Sequence, residues 1–188
     1  MQAAPPPPQA RKSGLPTWAI VMIAVVGALL VFLPIVAILG IYGVRRYIAN
    51  AKQAEARNTL GQIAKDAAAA YEADTSGPGG AASHRLCLGA SRSVPSSIAM
   101  VSGKKYQSSV ADWNADCASD RGFCCLKFSM ETPQYYMYSY GATPSTFTGK
   151  ANGDLDGDGI ASTFTIRGEV VGGQLQVAPS LEERDPGE

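Results

Sequence analysis

The chain has a single histidine, His84, and no G-x-S-x-G motif or cysteine nucleophile beside it. A solvated surface histidine is therefore the expectation, not a catalytic base. A Walker loop, a dinucleotide fingerprint and a carboxylate pair in an identifiable cleft are also missing, so nucleotide-dependent and hydrolytic chemistry lack their usual residues. No enzymatic activity, and no cofactor beyond a calcium ion considered below, is expected. Charge of one sign is not in excess either: 16 Lys and Arg balance 16 Asp and Glu in 188 residues. Without a basic surplus to neutralise phosphates, nucleic acid is not an expected partner. Cysteine is scarce and never spaced as C-x-x-C. The four residues are Cys87, Cys117, Cys124 and Cys125. An even count in a small glycine-rich region predicts two disulfides in an oxidising compartment. The competing zinc site would have to use adjacent Cys124 and Cys125 with His84 as its only other nitrogen ligand.

Charge is wholly lacking between Trp18 and Val44, in WAIVMIAVVGALLVFLPIVAILGIYGV. A bilayer core needs roughly 20 apolar helical residues, and a signal peptide's apolar region is only about 7–15. The run is long enough to span and flows into a helical pattern instead of a cleavage loop, which predicts an uncleaved transmembrane helix over residues 16–44. Trp18 at its start reads as an interfacial anchor. Pro34 inside it removes a hydrogen bond and predicts a kink. Ahead of it, residues 1–15 hold Pro5 to Pro8 with Arg11 and Lys12; this composition builds no core and predicts a disordered tail with a positive flank.

Beyond the apolar run the helical period continues. Ala56, Leu60, Ile63, Ala67 and Ala70 fall at i, i+4, i+7, i+11 and i+14, one face of an amphipathic helix. Arg45, Arg46, Lys52, Glu55, Arg57, Lys65 and Asp66 are assigned to the other faces. The stop comes in DTSGPGG, from Asp74 to Gly80. One helix is thus expected from near Thr17 to near Ala73, about 85 Å at 1.5 Å per residue, with residues 45–74 as its amphipathic half. From there the pattern turns to β over residues 75–180. Strands are expected at Phe123–Phe128, at Tyr135–Tyr140, around Phe147, at Phe164 with Ile166, and at Leu175 with Val177. Gly172-Gly173 sits where a tight hairpin turn belongs. Residues 181–188, LEERDPGE, read as a flexible tail. A helix first and antiparallel strands after it give an α+β fold: a long N-terminal transmembrane-to-amphipathic helix packed on a small antiparallel β-sheet head.

That architecture resembles type IV pilins and pseudopilins. Arg45-Arg46-Tyr47 followed by AKQAEARNTLGQI (Ala51 to Ile63) is similar to the segment those proteins place just outside the membrane. GFCCLKFSM, QYYMYSY and GDLDGDGIASTFTI are similar to the pilin-like heads of soil deltaproteobacteria. The family's prepilin-peptidase junction, a glycine before phenylalanine with a glutamate five residues on, has no counterpart here: aligned on AKQAEA, the two positions fall near Val21 and Val25. The N-terminal segment is therefore expected to be retained. The resemblance implies a structural subunit or accessory of a type IV pilus or type II secretion filament. It would sit in the inner membrane with its head in the periplasm or at the cell surface, and its helix would pack against like subunits or other pilin-like proteins. A second expectation is a monomeric membrane-tethered binding module whose head contacts calcium, a glycan or a protein partner.

The sharpest local motif is Asp154-Leu155-Asp156-Gly157-Asp158-Gly159-Ile160. Three alternate aspartates and a turn glycine match the start of a calcium loop, in which Ile160 offers its carbonyl and upstream Asn152 a further oxygen. The twelfth position, where a calcium loop carries a bidentate Glu, is Thr165. The competing reading is a hairpin turn, since Asp and Gly form turns with or without metal. Tyr135, Tyr136, Tyr138 and Tyr140 are either an aromatic ligand strip or sheet packing. Three disulfide pairings exist. Cys124 and Cys125 on one strand would point to opposite faces, which disfavours a bond between them; Cys87 with Cys125 and Cys117 with Cys124 is the expected pairing, the latter closing the small loop ADCASDRGFC.

Overall fold

The computed structural model describes residues 16–73 and 84–186; the proline-rich N-terminal tail and the DTSGPGG stop lie outside them. The chain divides into two compact units, Met1–Arg45 and Arg46–Glu188. Helix α1 covers Thr17–Glu72 and is unbroken at Pro34. In the first unit its side chains are solvent-exposed all round, including Trp18, Leu30, Phe32 and Leu39. A helix this long, apolar on every side and without partners among the described residues, meets the requirement of length and composition for crossing a membrane.

In the second unit α1 carries a buried stripe. Ala56, Leu60, Ile63 and Ala67 are at most 1% exposed and Ala70 packs at the edge of the same cluster, so the 3.6-residue period locates the covered face. Gln53, Thr59, Ala64 and Tyr71 widen it. The stripe lies against a five-stranded antiparallel sheet made of β1 (Met137–Ala142), β2 (Thr146–Gly153), β3 (Ser162–Val171), β4 (Gln174–Val177) and β5 (Glu182–Arg184). Strands β1 to β4 lie side by side in sequence order. Strand β5 pairs with β3 along the edge that β4 leaves free. Gly149 lies under the helix stripe: a Cβ there would stand 2.9 Å from Ile166 Cγ2, 3.4 Å from Leu60 Cδ2 and 3.5 Å from Ile63 Cγ2. Gly172 and Gly173, both at positive φ, form the two-residue turn between β3 and β4.

Strand alternation sorts the tyrosines. Tyr136, Tyr138 and Tyr140 are buried against α1 and its neighbours, Tyr136 edge-on to Phe164 and Tyr140 stacked on Phe147. They are packing, as the half-buried sheet reading supposes; Tyr135, which precedes β1, is half-buried at the edge of the same core. A second aromatic knot closes the region between α1 and β1. Trp113 sits edge-on to Phe123 and Phe128, and its indole N–H donates to Ser108 Oγ at 2.9 Å. Trp113 ends a one-turn helix, α2 (Val110–Trp113), fixed by a capping box between Ser109 and Asp112.

Two expectations are corrected. Phe123–Phe128 is not a strand: Gly122–Cys125 forms a short helix, α3, and Lys127 takes a positive φ of 55° just after it. Phe123, Leu126 and Phe128, the apolar residues that suggested a strand there, are all buried in the main core from this short helix and the turn after it. The C-terminal segment is not a free tail either, because Glu182–Arg184 is β5, in register with Thr163–Thr165. Its charge hid it: Glu-Glu-Arg has low strand propensity, and side-chain ion pairs fix it.

Candidate functional site

Three features of the head carry chemistry: the disulfides, the aspartate loop and a set of charged groups beside the buried stripe of α1. The disulfides join Cys87 to Cys125 and Cys117 to Cys124, with Cα–Cα distances of 5.8 and 5.2 Å. They differ in placement. Cys87 is 5% exposed and belongs to the main core, so the first bond ties the segment after α1 to the Trp113 knot. Cys117 lies on the surface, and the second bond closes a loop of only seven residues' separation. Because α3 is helical, neighbouring Cys124 and Cys125 diverge around a turn, not across the two faces of a strand.

The aspartate loop is the connection between β2 and β3. Asp154, Asp156 and Asp158 each place a carboxylate oxygen within 4.8 Å of the others. Much of their hydrogen-bonding capacity is already used. Asp154 is buried and accepts from Gly157 N–H at 2.7 Å on one oxygen; the other accepts from Ser102 Oγ–H at 2.6 Å and Gly159 N–H at 3.2 Å. The Ser102 hydroxyl, then the loop amides, hold the Asp154 carboxyl below the usual carboxylate range. Asp156 accepts from Asp158 N–H and Asp158 from Ile160 N–H. These are the self-contained turns that Asp forms with its own backbone. Asn152 does not join the cluster: its amide donates to Thr163 Oγ1 across the ladder at 2.8 Å. Thr165 pairs with Lys150 inside β3 and cannot supply a twelfth-position ligand. What converges is three carboxylates, with the Ile160 side chain exposed beside them. Such a cluster suits a hard cation, yet the loop's geometry rests on its own hydrogen bonds and on the Ser102–Gly103 turn, where Gly103 N–H donates to Asp154 O. Exhaustive chelation is therefore expected to leave the melting temperature of the head unchanged. A fall of several degrees in EDTA, restored by calcium, would make the metal a structural brace.

The sequence places Lys52, Glu55 and Arg57 on faces other than that of Ala56–Ala70. The structure turns all three toward the head. Glu55 accepts from Tyr135 N–H at 2.8 Å and from Tyr138 Oη–H at 3.1 Å. Lys52 Nζ donates to Leu155 O at 3.3 Å, and Lys52 and Lys105 stand over the Tyr135 ring at 4.9 and 4.8 Å. Arg57 makes a two-pronged contact to Glu183, at 2.7 and 2.9 Å. The available signal was adjacency: each lies within one helical turn of Ala56, so the stripe's flanks meet the sheet margins.

Burial raises the Glu55 carboxyl above its ordinary value, against the pull of the Tyr135 and Tyr136 amides and the Tyr138 hydroxyl. The folded pKa then exceeds the unfolded one, so the wild-type head loses stability as pH rises through that interval. Glu55→Gln keeps a carbonyl for both donors and removes the charge. Its stability relative to wild type is expected to grow as pH goes from about 4 upward, read from denaturant midpoints. A difference independent of pH would show that Glu55 does not titrate in that interval.

His84 is solvent-exposed. Its Nδ1 lies 3.0 Å from Tyr71 O and its ring 5.6 Å from the Tyr71 ring, a contact at the end of α1 with no nucleophile hydrogen-bonded to it among the described residues. Comparison with known proteins finds no match to any family model, curated protein or solved structure.

Proposed function

We propose that the chain is a structural subunit or accessory of a type IV pilus or type II secretion filament, held in the inner membrane by α1 with its head on the periplasmic side. The observation that carries this reading is α1 itself. One helix supplies both an apolar segment long enough to span a bilayer and, further along, the stripe on which a small antiparallel sheet is built. A subunit that stores its helix in the membrane and displays a head needs that continuity. The head is held by disulfides, a covalent device of oxidising compartments. The role is architectural: the buried tyrosines are committed to packing, and the charged groups of α1 bind head residues.

Orientation is the first thing to test, because the flanking charges oppose it. Arg45, Arg46, Lys52 and Arg57 outnumber Arg11 and Lys12, and a plain positive-inside count puts the head in the cytoplasm. The rule weakens for long translocated domains, and disulfides favour export. A reporter fused after Glu188 that is active only in the periplasm is expected to be active. Activity confined to a cytoplasmic reporter would remove the reading at its base, since no filament subunit assembles from that side.

A further inference from the structure

The edge of β3 is covered in two instalments. Strand β4 pairs with Gly168–Val171 and β5 with Thr163–Thr165. Between them, two residues of β3, Ile166 and Arg167, face four of the edge chain, Ala178 to Leu181, so β5 is set off from β4 by a bulge. Strand β5 is three residues long and exposed throughout. Its side-chain holds are electrostatic and point to opposite faces of the sheet. Glu183 is gripped by Arg57 from α1, which also takes Gln53 Oε1 at 3.1 Å and stands 5.5 Å from the Phe164 ring. Glu182 is gripped on the outer face by Arg167, at 3.2 Å through both Nε and Nη2. Beneath lie Phe164 and Thr165, both buried. The receptor for β5 is therefore complete without the bulge: an open strand edge, one guanidinium above it and one below.

We infer that the β3 edge at Thr163–Thr165 is a strand-acceptor site for an extended segment with two successive carboxylates, and that a neighbouring copy's β5 occupies it when copies lie side by side. The choice of neighbour rests on the filament reading above; the acceptor chemistry does not. The ladder to Thr163–Thr165 and both guanidinium contacts are made by Glu182–Arg184, while the bulge holds on further along, through Ala178 N–H to Arg167 O at 2.8 Å and through Ala178 and Leu181 against the core, so a strand arriving from another chain meets the same partners at Thr163–Thr165. The opposite signs of Arg57 and Arg167 on one side and Glu183 and Glu182 on the other select for that sequence. The Glu183 carboxyl, held below its ordinary range chiefly by the Arg57 hydrogen bonds, keeps the grip in neutral solution, and salt weakens it.

The test uses two preparations. In the first, a chain ending at Pro179 is solubilised in detergent and mixed with a fluorescent peptide, SLEERDPGE, matching residues 180–188. Saturable one-to-one binding is expected, weakened roughly tenfold or more by Glu183→Lys in the peptide, as for loss of a charged hydrogen-bonded partner. Binding is expected to return when an Arg57→Glu chain meets a Glu183→Arg peptide. No binding by a truncated chain whose disulfides and thermal transition are intact, or binding indifferent to charge reversal, overturns the acceptor site. The second preparation keeps the full chain and so does not depend on the truncation folding. Thr163 and Arg184 are register partners and no described cysteine is free. Chains bearing Thr163→Cys and Arg184→Cys, differently tagged and co-produced in membranes, are expected to form a disulfide-linked heterodimer under mild oxidation. Monomers alone, from a pair that bonds when both substitutions share one chain, overturn the exchange between copies. Filaments that persist in that case leave the filament reading standing.

Discussion

A Leu60→Asp chain is expected to enter the membrane normally and fail to fold its head. Leu60 has no solvent exposure, and with Ile63 and Ile166 it fills the space over Gly149 where α1 meets β2. Truncation to Ala at such a site costs about 2–5 kcal/mol. An aspartate adds an unpaired carboxylate in the same apolar contact, a further penalty of several kcal/mol. A domain of this size has about 5–15 kcal/mol in all, so the sum removes most or all of it. The Trp18–Val44 run is untouched, and membrane insertion follows that run alone. Limited proteolysis of the membrane-extracted protein separates the two: the helix band should survive while the head, resistant in wild type, is digested. A protease-resistant Leu60→Asp head would mean that α1 does not hold the sheet.

The two disulfides are expected to contribute unequally. Their sequence separations are 38 and 7 residues, and the entropy a cross-link removes from the unfolded chain grows with the loop it closes. On the chain-entropy relation, losing Cys87–Cys125 costs about 4 kcal/mol and losing Cys117–Cys124 about 2.5 kcal/mol. Burial widens the gap, because paired serines at 87 and 125 leave hydroxyls in or beside the core, whereas Cys117 is on the surface. Denaturant unfolding of the two double-serine variants at constant m reads the difference directly. Equal losses, or a larger loss for 117 and 124, would show that the surface loop anchors the head.

Where a periodic apolar signal existed, the sequence was legible. The charge-free run and the Ala56–Ala70 spacing located both halves of α1, the first by being apolar on every side over 27 residues and the second by a demand on one side chain per turn. Phe147, Phe164, Ile166 and the Gly172-Gly173 turn located β2, β3 and β4 in the same way. What escaped is non-periodic. Four residues, Gly122–Cys125, became helix where a short apolar run suggested a strand, because a segment this short carries no period that separates the two. Strand β5 escaped because its hold comes from Arg57, 126 residues away in sequence, and from Arg167, not from its own hydrophobicity. That the charged flanks of α1 touch the head escaped for a related reason: the period identifies a stripe's centre, while its width depends on how far the head extends over Lys52, Glu55 and Arg57. At the aspartate loop the residue pattern is the same for a cation site and a self-bonded turn; the sequence did not show that Asn152 and Thr165 stand apart from it, leaving three clustered carboxylates.

The filament reading stands or falls on what surrounds the apolar part of α1 in the native membrane. A photo-crosslinking residue placed at Val31, on the exposed face of that segment, reports it in intact cells. The account predicts a ladder of crosslinked products containing this chain with itself or with other subunits bearing an N-terminal apolar helix, lost when the assembly machinery is disabled. Adducts to lipid and monomeric protein alone, with the head folded and exported, would contradict assembly through the helix and leave a solitary tethered module.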